Sequence, residues 1–93
     1  MRVRYHTNPD GQPHIHDHGV SESEVEEALR RPLIQADGRD KSTILIGRTG
    51  AGRVLKIIFS EARDGDGIFI ITAYDLPPKQ LRAVRRRLKR RGR

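Results

Sequence analysis

The chain has 93 residues, 34% of them apolar, which is enough for one small domain and too little for two independent cores. It contains no cysteine and only four histidines, so disulfides and thiolate chemistry are excluded and a zinc site would need histidine and carboxylate ligands. No segment approaches the roughly 20 apolar residues of a membrane-spanning helix, and the first residues lack the apolar core of a signal peptide. We therefore expect residues 1–93 to form a single cytoplasmic domain.

The positive charge is concentrated at the C-terminal end of the sequence. Residues 79–93 contain nine of the 19 basic side chains and no acid, whereas residues 1–78 contain ten basic and twelve acidic side chains. The C-terminal segment therefore accounts for the net charge of +7. Such an asymmetry favours a polyanionic or acidic partner and argues against an enzyme that acts on neutral metabolites.

The N-terminal part predicts a short strand followed by a loop. In residues 2–6, Val3 and Tyr5 alternate with charged neighbours, which is typical of a strand with one solvated face. The run Asn8–Gly11 has the composition of a turn. In the loop that follows, we expect at most one helical turn, around Pro13–His18.

The loop contains the run His14-Ile15-His16-Asp17-His18, which is close to the HxHxDH motif of metallo-β-lactamase-like hydrolases. One residue is missing between the second histidine and the aspartate, and the later ligands of those larger enzymes are absent, so the metal-binding spacing fails. We therefore predict no metal and no other cofactor. The run then indicates a polar loop in which His18 helps to fix the start of the first helix, with a structural metal or a catalytic zinc as the alternative. A weak, adventitious site for nickel or zinc is compatible with the polar loop.

The clearest local signal is the start of a helix at Ser21. Ser21 and Glu24 have the spacing of a capping box, and Val20 and Val25 can form a hydrophobic staple across the first turn. Pro32 ends the predicted helix. We expect the acidic side chains opposite its narrow apolar face to be a solvated surface, with metal-binding or catalytic carboxylates as the alternative.

Three strands are predicted after a polar linker at residues 35–41. Residues 42–48, 53–60 and 67–74 are rich in Ile, Val, Phe and Thr, and the short connection between the first two favours an antiparallel hairpin. The apolar run in the third predicts a central strand buried on both faces, and residues 2–6 can add a fourth strand.

A basic helix is predicted from about Pro78 to Arg90. Leu81, Val84 and Leu88 form a single apolar stripe that can lie on the sheet. The surrounding cations repel one another, and RNA or DNA phosphates would neutralise them, whereas a solubilising tail is the alternative. The candidate nucleic-acid-binding residues are Arg48, Lys79, Arg82, Arg85, Arg86, Lys89 and Arg90.

The predicted order is β-(loop)-α-β-β-β-α. This order indicates an α+β fold in which an antiparallel sheet of three or four strands has both helices packed on one face.

Lys56 interrupts an otherwise apolar strand and is the first candidate for chemistry. By alternation it shares one strand face with Val54 and Ile58, where Arg48 and Tyr74 would complete an electropositive cleft. Cleavage of RNA without a metal requires alignment of a 2′-hydroxyl with its adjacent phosphate, proton transfer and cations that stabilise the added charge. Lys56 and Tyr74 offer these functions, and the alternatives are a solvent-directed edge lysine and a packing tyrosine.

Three stretches in this order resemble the BrnT-type toxins of type II toxin-antitoxin modules. They are His18–Ser21 before an acidic helix, residues 46–55 across the hairpin, and residues 70–73 before an arginine-rich helix. The same stretches are similar to small uncharacterised domains related to the RelE/ParE toxin superfamily. The resemblance extends from about His18 to Arg91.

The resemblance implies a RelE-like fold, RNA cleavage, neutralisation by a cognate antitoxin, and repression of the shared operon by the complex. Where such sequences commonly carry Arg and Glu, this chain has Tyr74 and Gln80. The candidate catalytic residues are therefore Arg53, Lys56, Tyr74 and Arg82.

From these signals we predict a metal-independent endoribonuclease that cleaves mRNA as the toxin of such a module. Its expected partners are RNA, a cognate antitoxin and, through the antitoxin complex, operator DNA, with no membrane involved. The alternative is a non-catalytic small domain that binds nucleic acid or an antitoxin.

Overall fold

Five strands and two α-helices form the part of the chain that the computed structural model describes, residues 2–91. The strands are β1 (Val3–Tyr5), β2 (Pro32–Asp37), β3 (Thr43–Arg48), β4 (Val54–Glu61) and β5 (Ile68–Asp75). The helices are α1 (Glu22–Arg30) and α2 (Pro78–Arg91), and a 3₁₀ helix spans His14–His18. The predicted α+β class is confirmed, as are the three long strands and the helical turn in the histidine loop.

The sheet differs from the predicted one in strand number and direction. Its order is β1-β5-β4-β3-β2, with five strands instead of three or four. Strands β2 to β5 pair antiparallel, but β1 runs parallel to β5, so the sheet is mixed and the expectation of an antiparallel sheet was wrong. A parallel neighbour needs a long crossover, and the whole chain between β1 and β5 supplies it.

The strand absent from the prediction is β2, which begins before the expected linker and includes its first three residues, Gln35 to Asp37. Leu33 and Ile34 are its only large apolar residues and stand side by side, so the strand has no period-2 pattern. Backbone pairing with β3 holds it, with Asp37 opposite Thr43. Pro32 is tolerated as the first residue of an edge strand, where its missing N–H is not needed.

The two helices lie on opposite faces of the sheet, so the expectation of one shared face was also wrong. Val25 and Ala28 of α1 pack in a cluster with Leu55, whereas Val84 of α2 packs in a second cluster with the adjacent Val54. Because successive residues of a strand point to opposite faces, the two clusters are on opposite sides. We call the side of α1 the inner face and the side of α2 the outer face.

The inner face holds the main core. Gly47 of β3 lies directly against the backbone carbonyl of Ala28, because a glycine leaves no side chain between strand and helix. The largest side chains of this core are fully buried. Its buried residues are Ile15, Val20, Val25, Ala28, Leu45, Leu55, Ile57, Ile70 and Ala73.

The predicted start of α1 is confirmed in detail. The Ser21 side chain accepts a hydrogen bond from the Glu24 backbone N–H, and the Glu24 carboxylate accepts one from the Ser21 backbone N–H at 3.1 Å. Val20 and Val25 on either side of the cap are both buried in the inner core. These contacts satisfy backbone donors at the helix start and fix the direction in which the chain enters α1.

The predicted apolar stripe of α2 packs on the outer face. Val84 is buried, and Leu81 and Leu88 are partly buried beside it. The stripe contacts only one end of the sheet, in a cluster that contains Leu33, Ile34, Ile46, Val54 and Leu76.

Strand β5 was expected to be buried on both faces at the centre of the sheet, and this was wrong. The central strand is β4, and β5 lies between it and the short β1. Ile58 pairs with Thr72 and Phe59 with Ile70, so Ile71 is an extra residue in a β-bulge, and it is 37% exposed.

Candidate functional site

Part of the outer face is left uncovered by α2. Phe69, Ile71 and Tyr74 of β5 lie there with Lys56 and Ile58 of β4, and all five are exposed or half-buried. None of them belongs to the cluster beneath α2. We call this surface, together with Arg4 of β1, the open face.

Strand register explains why these side chains share one side. Lys56 pairs with Tyr74 across β4 and β5, Ile58 pairs with Thr72, and Phe69 pairs with Arg4 of β1. Directly opposed residues of paired strands point to the same side of a sheet, with Cβ atoms about 5 Å apart. The open face therefore combines an amine, a phenol and an aromatic ring on adjacent strands.

A groove of about 470 Å³ lies at one end of the open face. Phe69 and Ile71 contribute its apolar surface, and Arg4 and Arg63 contribute positive charge. Arg4 is also paired with Asp64 at 2.7 Å. Ser60, Glu61 and Ala62 complete the lining of this groove.

Lys56 is a half-buried cation within the apolar run from Val54 to Phe59 of β4. In the described part of the chain, no carboxylate lies within ion-pair distance of its ammonium group. An ammonium group that is half-buried without an ion-pair partner is costly to desolvate, and an anionic ligand would pair with it. The sequence-based placement of Lys56 and Tyr74 on one strand face is confirmed.

Three histidines and Tyr74 form a row of rings along the edge of β5. The ring centroids are 5.7 Å apart for His6 and His14, 5.1 Å for His14 and His18, and 5.8 Å for His18 and Tyr74. The row arises because β1 ends at Tyr5, so the next part of β5 is bordered by the 3₁₀ helix instead of a strand. It extends the open face with imidazole groups.

Hydrogen bonds hold the histidine loop in place. His14 Nδ1 lies 3.0 Å from Asn8 Oδ1, and the Asn8 amide donates to Asp17 Oδ2 at 3.0 Å. His16 Nε2 lies 2.6 Å from Glu22 Oε1, and this contact lowers the pKa of the Glu22 carboxyl below its ordinary value. The loop is therefore fastened both to the preceding turn and to the start of α1.

Arg53 is enclosed by hydrogen bonds to acceptors on three segments. Its Nε and Nη2 donate to the two Asp75 oxygens at 2.6 and 3.0 Å, and its Nη1 donates to the Gly19 carbonyl and the Glu24 carboxylate. Hydrogen bonding to Arg53 lowers the pKa of Asp75, and the Ser21 backbone N–H followed by Arg53 lowers that of Glu24. The same carboxylates raise the pKa of Arg53. The guanidinium thus joins the start of α1 to the end of β5.

The remaining predicted site residues lie on exposed surface. Arg48 ends β3 on the outer face, opposite Val54. In α2 the basic side chains surround the packed stripe, and all of those described are exposed. They are Lys79, Arg82, Arg85, Arg86, Arg87, Lys89 and Arg90.

Within residues 2–91, no group of three or more histidine, cysteine or acidic side chains is arranged to hold a metal ion. No helix in this part of the chain has the length and apolar character needed to cross a bilayer.

Sequence reasoning missed Phe69 and His18 as members of this surface. Alternation along β5 predicts the side of Phe69 only when the bulge at Ile71 is known. The spacing of the histidines indicates only a possible metal motif in the loop. It does not predict the contact between His18 and Tyr74, because these residues are far apart in sequence. The partly exposed aromatic rings of this surface, Phe69 and Tyr74, lie on the sheet and not on the basic helix.

Comparison with known proteins gives a family for this chain. The family described as "Domain of unknown function (DUF4258)" matches residues 12–75, which is more than half of the sequence. The chain belongs to the DUF4258 family. The matched region contains the histidine loop, Lys56 and Tyr74, whereas β1 and the basic α2 lie outside it. No curated protein and no solved structure matches the chain.

Proposed function

We propose that this domain binds single-stranded RNA on the open face and α2, and cleaves it without a metal ion as the toxin of a toxin-antitoxin module. The observation that carries the proposal is the juxtaposition of Lys56 and Tyr74 on a sheet face beside a helix of exposed cations. The BrnT-like stretches support the toxin assignment and a RelE-like fold. They also support a cognate antitoxin as partner, and operator DNA as a ligand of the complex.

The binding surface has the two features that single-stranded nucleic acids require. Phe69 and Tyr74 are partly exposed rings on one strand of a sheet, and stacking of bases on such rings contributes about 1–3 kcal/mol per base. The α2 cations are positioned to neutralise backbone phosphates and release counterions. A duplex would not offer unstacked bases to the sheet, so single strands are the better substrate.

The cleavage chemistry is assigned to the open face. Lys56 stabilises the charge that develops on the phosphate, and Tyr74 transfers a proton. Arg82 of α2 provides a further cation near the phosphate backbone. Arg53 is assigned a positioning role, since catalytic contact with phosphate would require it to leave Asp75 and Glu24.

RNA binding is tested by the salt dependence of the affinity. Replacement of Arg85, Arg86, Lys89 and Arg90 by Gln should weaken binding to a single-stranded RNA and reduce the slope of log affinity against log salt by about 0.7 per lost phosphate contact. The control has the same loss of charge elsewhere, at the exposed positions Arg30, Arg31, Arg39 and Lys41. Equal affinities and slopes in the two variants would show that the cations of α2 do not contact the RNA.

Cleavage is tested by induced expression in bacteria. The intact chain should arrest growth and degrade mRNA, and Lys56→Ala should relieve both effects because it removes the cation on the open face. Co-expression of a neighbouring antitoxin gene should also relieve them. RNA binding without growth arrest or cleavage would instead favour the non-catalytic binding domain.

A further inference from the structure

We propose that His18 is the general base of the RNA cleavage reaction and acts as a pair with Tyr74 at the edge of β5. This inference rests on the proposed function and adds to it a residue outside the predicted catalytic set of Arg53, Lys56, Tyr74 and Arg82. It supplies a proton acceptor beside Lys56 and Tyr74, which are both proton donors in their ordinary states.

The geometry carries the assignment. The His18 ring is exposed, and its centroid is 5.8 Å from that of Tyr74 at an interplanar angle of 54°. Tyr74 in turn lies directly across from Lys56 in the strand register. Base, acid and cation therefore lie in a row across the edge of the sheet, close enough to contact one bound phosphodiester.

His18 is the member of the histidine row best suited to accept a proton. His14 Nδ1 is bonded to Asn8, and His16 is bonded to Glu22. Within residues 2–91, His18 has no hydrogen-bonding side-chain partner. His6 has no such partner either, but His14 separates it from His18 and Tyr74.

The charged and titratable groups around His18 come from three elements. His14 and Asp17 share its 3₁₀ helix, and Tyr74 faces it from β5, with Lys56 of β4 behind the tyrosine. Arg53 approaches through the Gly19 carbonyl, but Asp75 and Glu24 neutralise it.

The proton balance of the step is complete without a cofactor. Neutral His18 takes the proton of the ribose 2′-hydroxyl, and the 2′-oxygen forms a bond to the adjacent phosphorus. The bond from phosphorus to the 5′-oxygen breaks, and that oxygen takes the proton of the Tyr74 hydroxyl. The products are a 2′,3′-cyclic phosphate and a 5′-hydroxyl end. Proton transfer from the imidazolium to the tyrosinate, directly or through water, restores both side chains.

The kinetic test compares two histidines of the same 3₁₀ helix in the full-length protein. At neutral pH and with a metal chelator present, His18→Gln should lower the rate of cleavage of a single-stranded RNA by about 100-fold or more. His16→Gln, the control, should stay within about twofold, because His16 contacts Glu22 and not Tyr74. The rise of rate with pH on the acid side should be lost in His18→Gln alone, since histidine is the side chain that changes charge in this range.

A second readout does not depend on turnover. Adenosine 3′-monophosphate, which resembles an opened product, should shift the NMR signals of the His18 ring and leave those of His16 unchanged. A normal cleavage rate in His18→Gln, or an unmoved His18 ring with the nucleotide bound, would overturn the inference and leave the ribonuclease proposal standing. An intact protein that binds RNA without cleaving it would overturn both.

Discussion

The two faces of the sheet differ in how completely they are covered. On the inner face, α1 and the 3₁₀ helix bury a continuous set of apolar side chains, and Leu55, Ile57 and Ile70 have no exposed surface. On the outer face, α2 packs over one end, and the other end retains a lysine, two aromatic rings and the exposed Ile71. The tightly packed core is therefore concentrated on one face of the sheet, and polar and aromatic groups remain accessible on the other.

This division follows from the shapes of the two helices. The face of α1 toward the sheet carries small and branched residues, and Ala28 meets Gly47, so the helix approaches closely. The face of α2 toward the sheet is a narrow stripe, and its cations hold the rest of the helix in solvent. A helix of that kind can cover only a strip of a five-stranded sheet.

The largest expected effect comes from truncating adjacent residues on opposite faces of β5. Ile70→Ala should lower the free energy of unfolding by about 3 kcal/mol, because it opens a cavity in the inner core. Ile71→Ala should lower it by less than about 1 kcal/mol, since that side chain is already partly in solvent. Urea denaturation measures both changes. Equal losses would show that side chains on the two faces contribute equally to the free energy of unfolding.

A smaller effect is expected from Arg53→Gln, which disconnects α1 from the end of β5. We expect a loss of about 1–2 kcal/mol at neutral pH, limited by solvent screening because the Asp75 side chain is 63% exposed. Arg53 lowers the pKa of Asp75 in the folded state and, after the Ser21 backbone N–H, also that of Glu24, so the stabilisation from Arg53 is complete above the ordinary pKa values of these carboxyls. It is lost as the pH falls through the lowered values.

The measurement is urea denaturation of the intact protein and Arg53→Gln between pH 7 and pH 3. The difference in stability should shrink on the acid side, below about pH 4, where the carboxylates of the unfolded chain are protonated. Arg63→Gln is the matched control, since the described residues include no ion-pair partner for Arg63. A constant difference between Arg53→Gln and the intact protein would contradict the ion-pair explanation.

The smallest expected effect comes from removing the N-terminal cap of α1, the helix of the inner face. Ser21→Ala removes the side-chain half of the capping box and should lower the free energy of unfolding by about 1 kcal/mol. Ser23→Ala, at an exposed site two residues further on, leaves the capping hydrogen bonds in place and removes only an exposed contact between the Ser23 and Ser21 hydroxyls, so it should change the free energy of unfolding by less than about 0.5 kcal/mol. If the two substitutions have equal effects in thermal unfolding, the cap does not stabilise the inner-face helix.

Much of the secondary structure could be predicted because its signals are local. The capping box at Ser21, the hairpin of β3 and β4, and the stripe of Leu81, Val84 and Leu88 are all encoded within a few residues. The alternation that sets Lys56 apart from Leu55 is equally local, and it placed the lysine on the correct strand face.

The fold-level errors concern features without a local signal. Strand β2 has no alternating pattern and is defined by its pairing with β3. The direction of β1 is set by its pairing with β5, a strand far from it in sequence. The face of the sheet on which α1 or α2 packs depends on which strand residues its apolar stripe contacts in the folded chain.

By itself, the sequence determined the α+β class, the ends of α1 and α2, and the separation of the positive charge from the rest of the chain. Only the tertiary structure decided that the helices take opposite faces, that Arg53 is enclosed by two carboxylates, and that His18 lies beside Tyr74. The physical reason is range: caps and stripes depend on neighbours within one or two turns of the chain. The assembled site depends on register, a bulge and a crossover that bring together residues more than 50 positions apart.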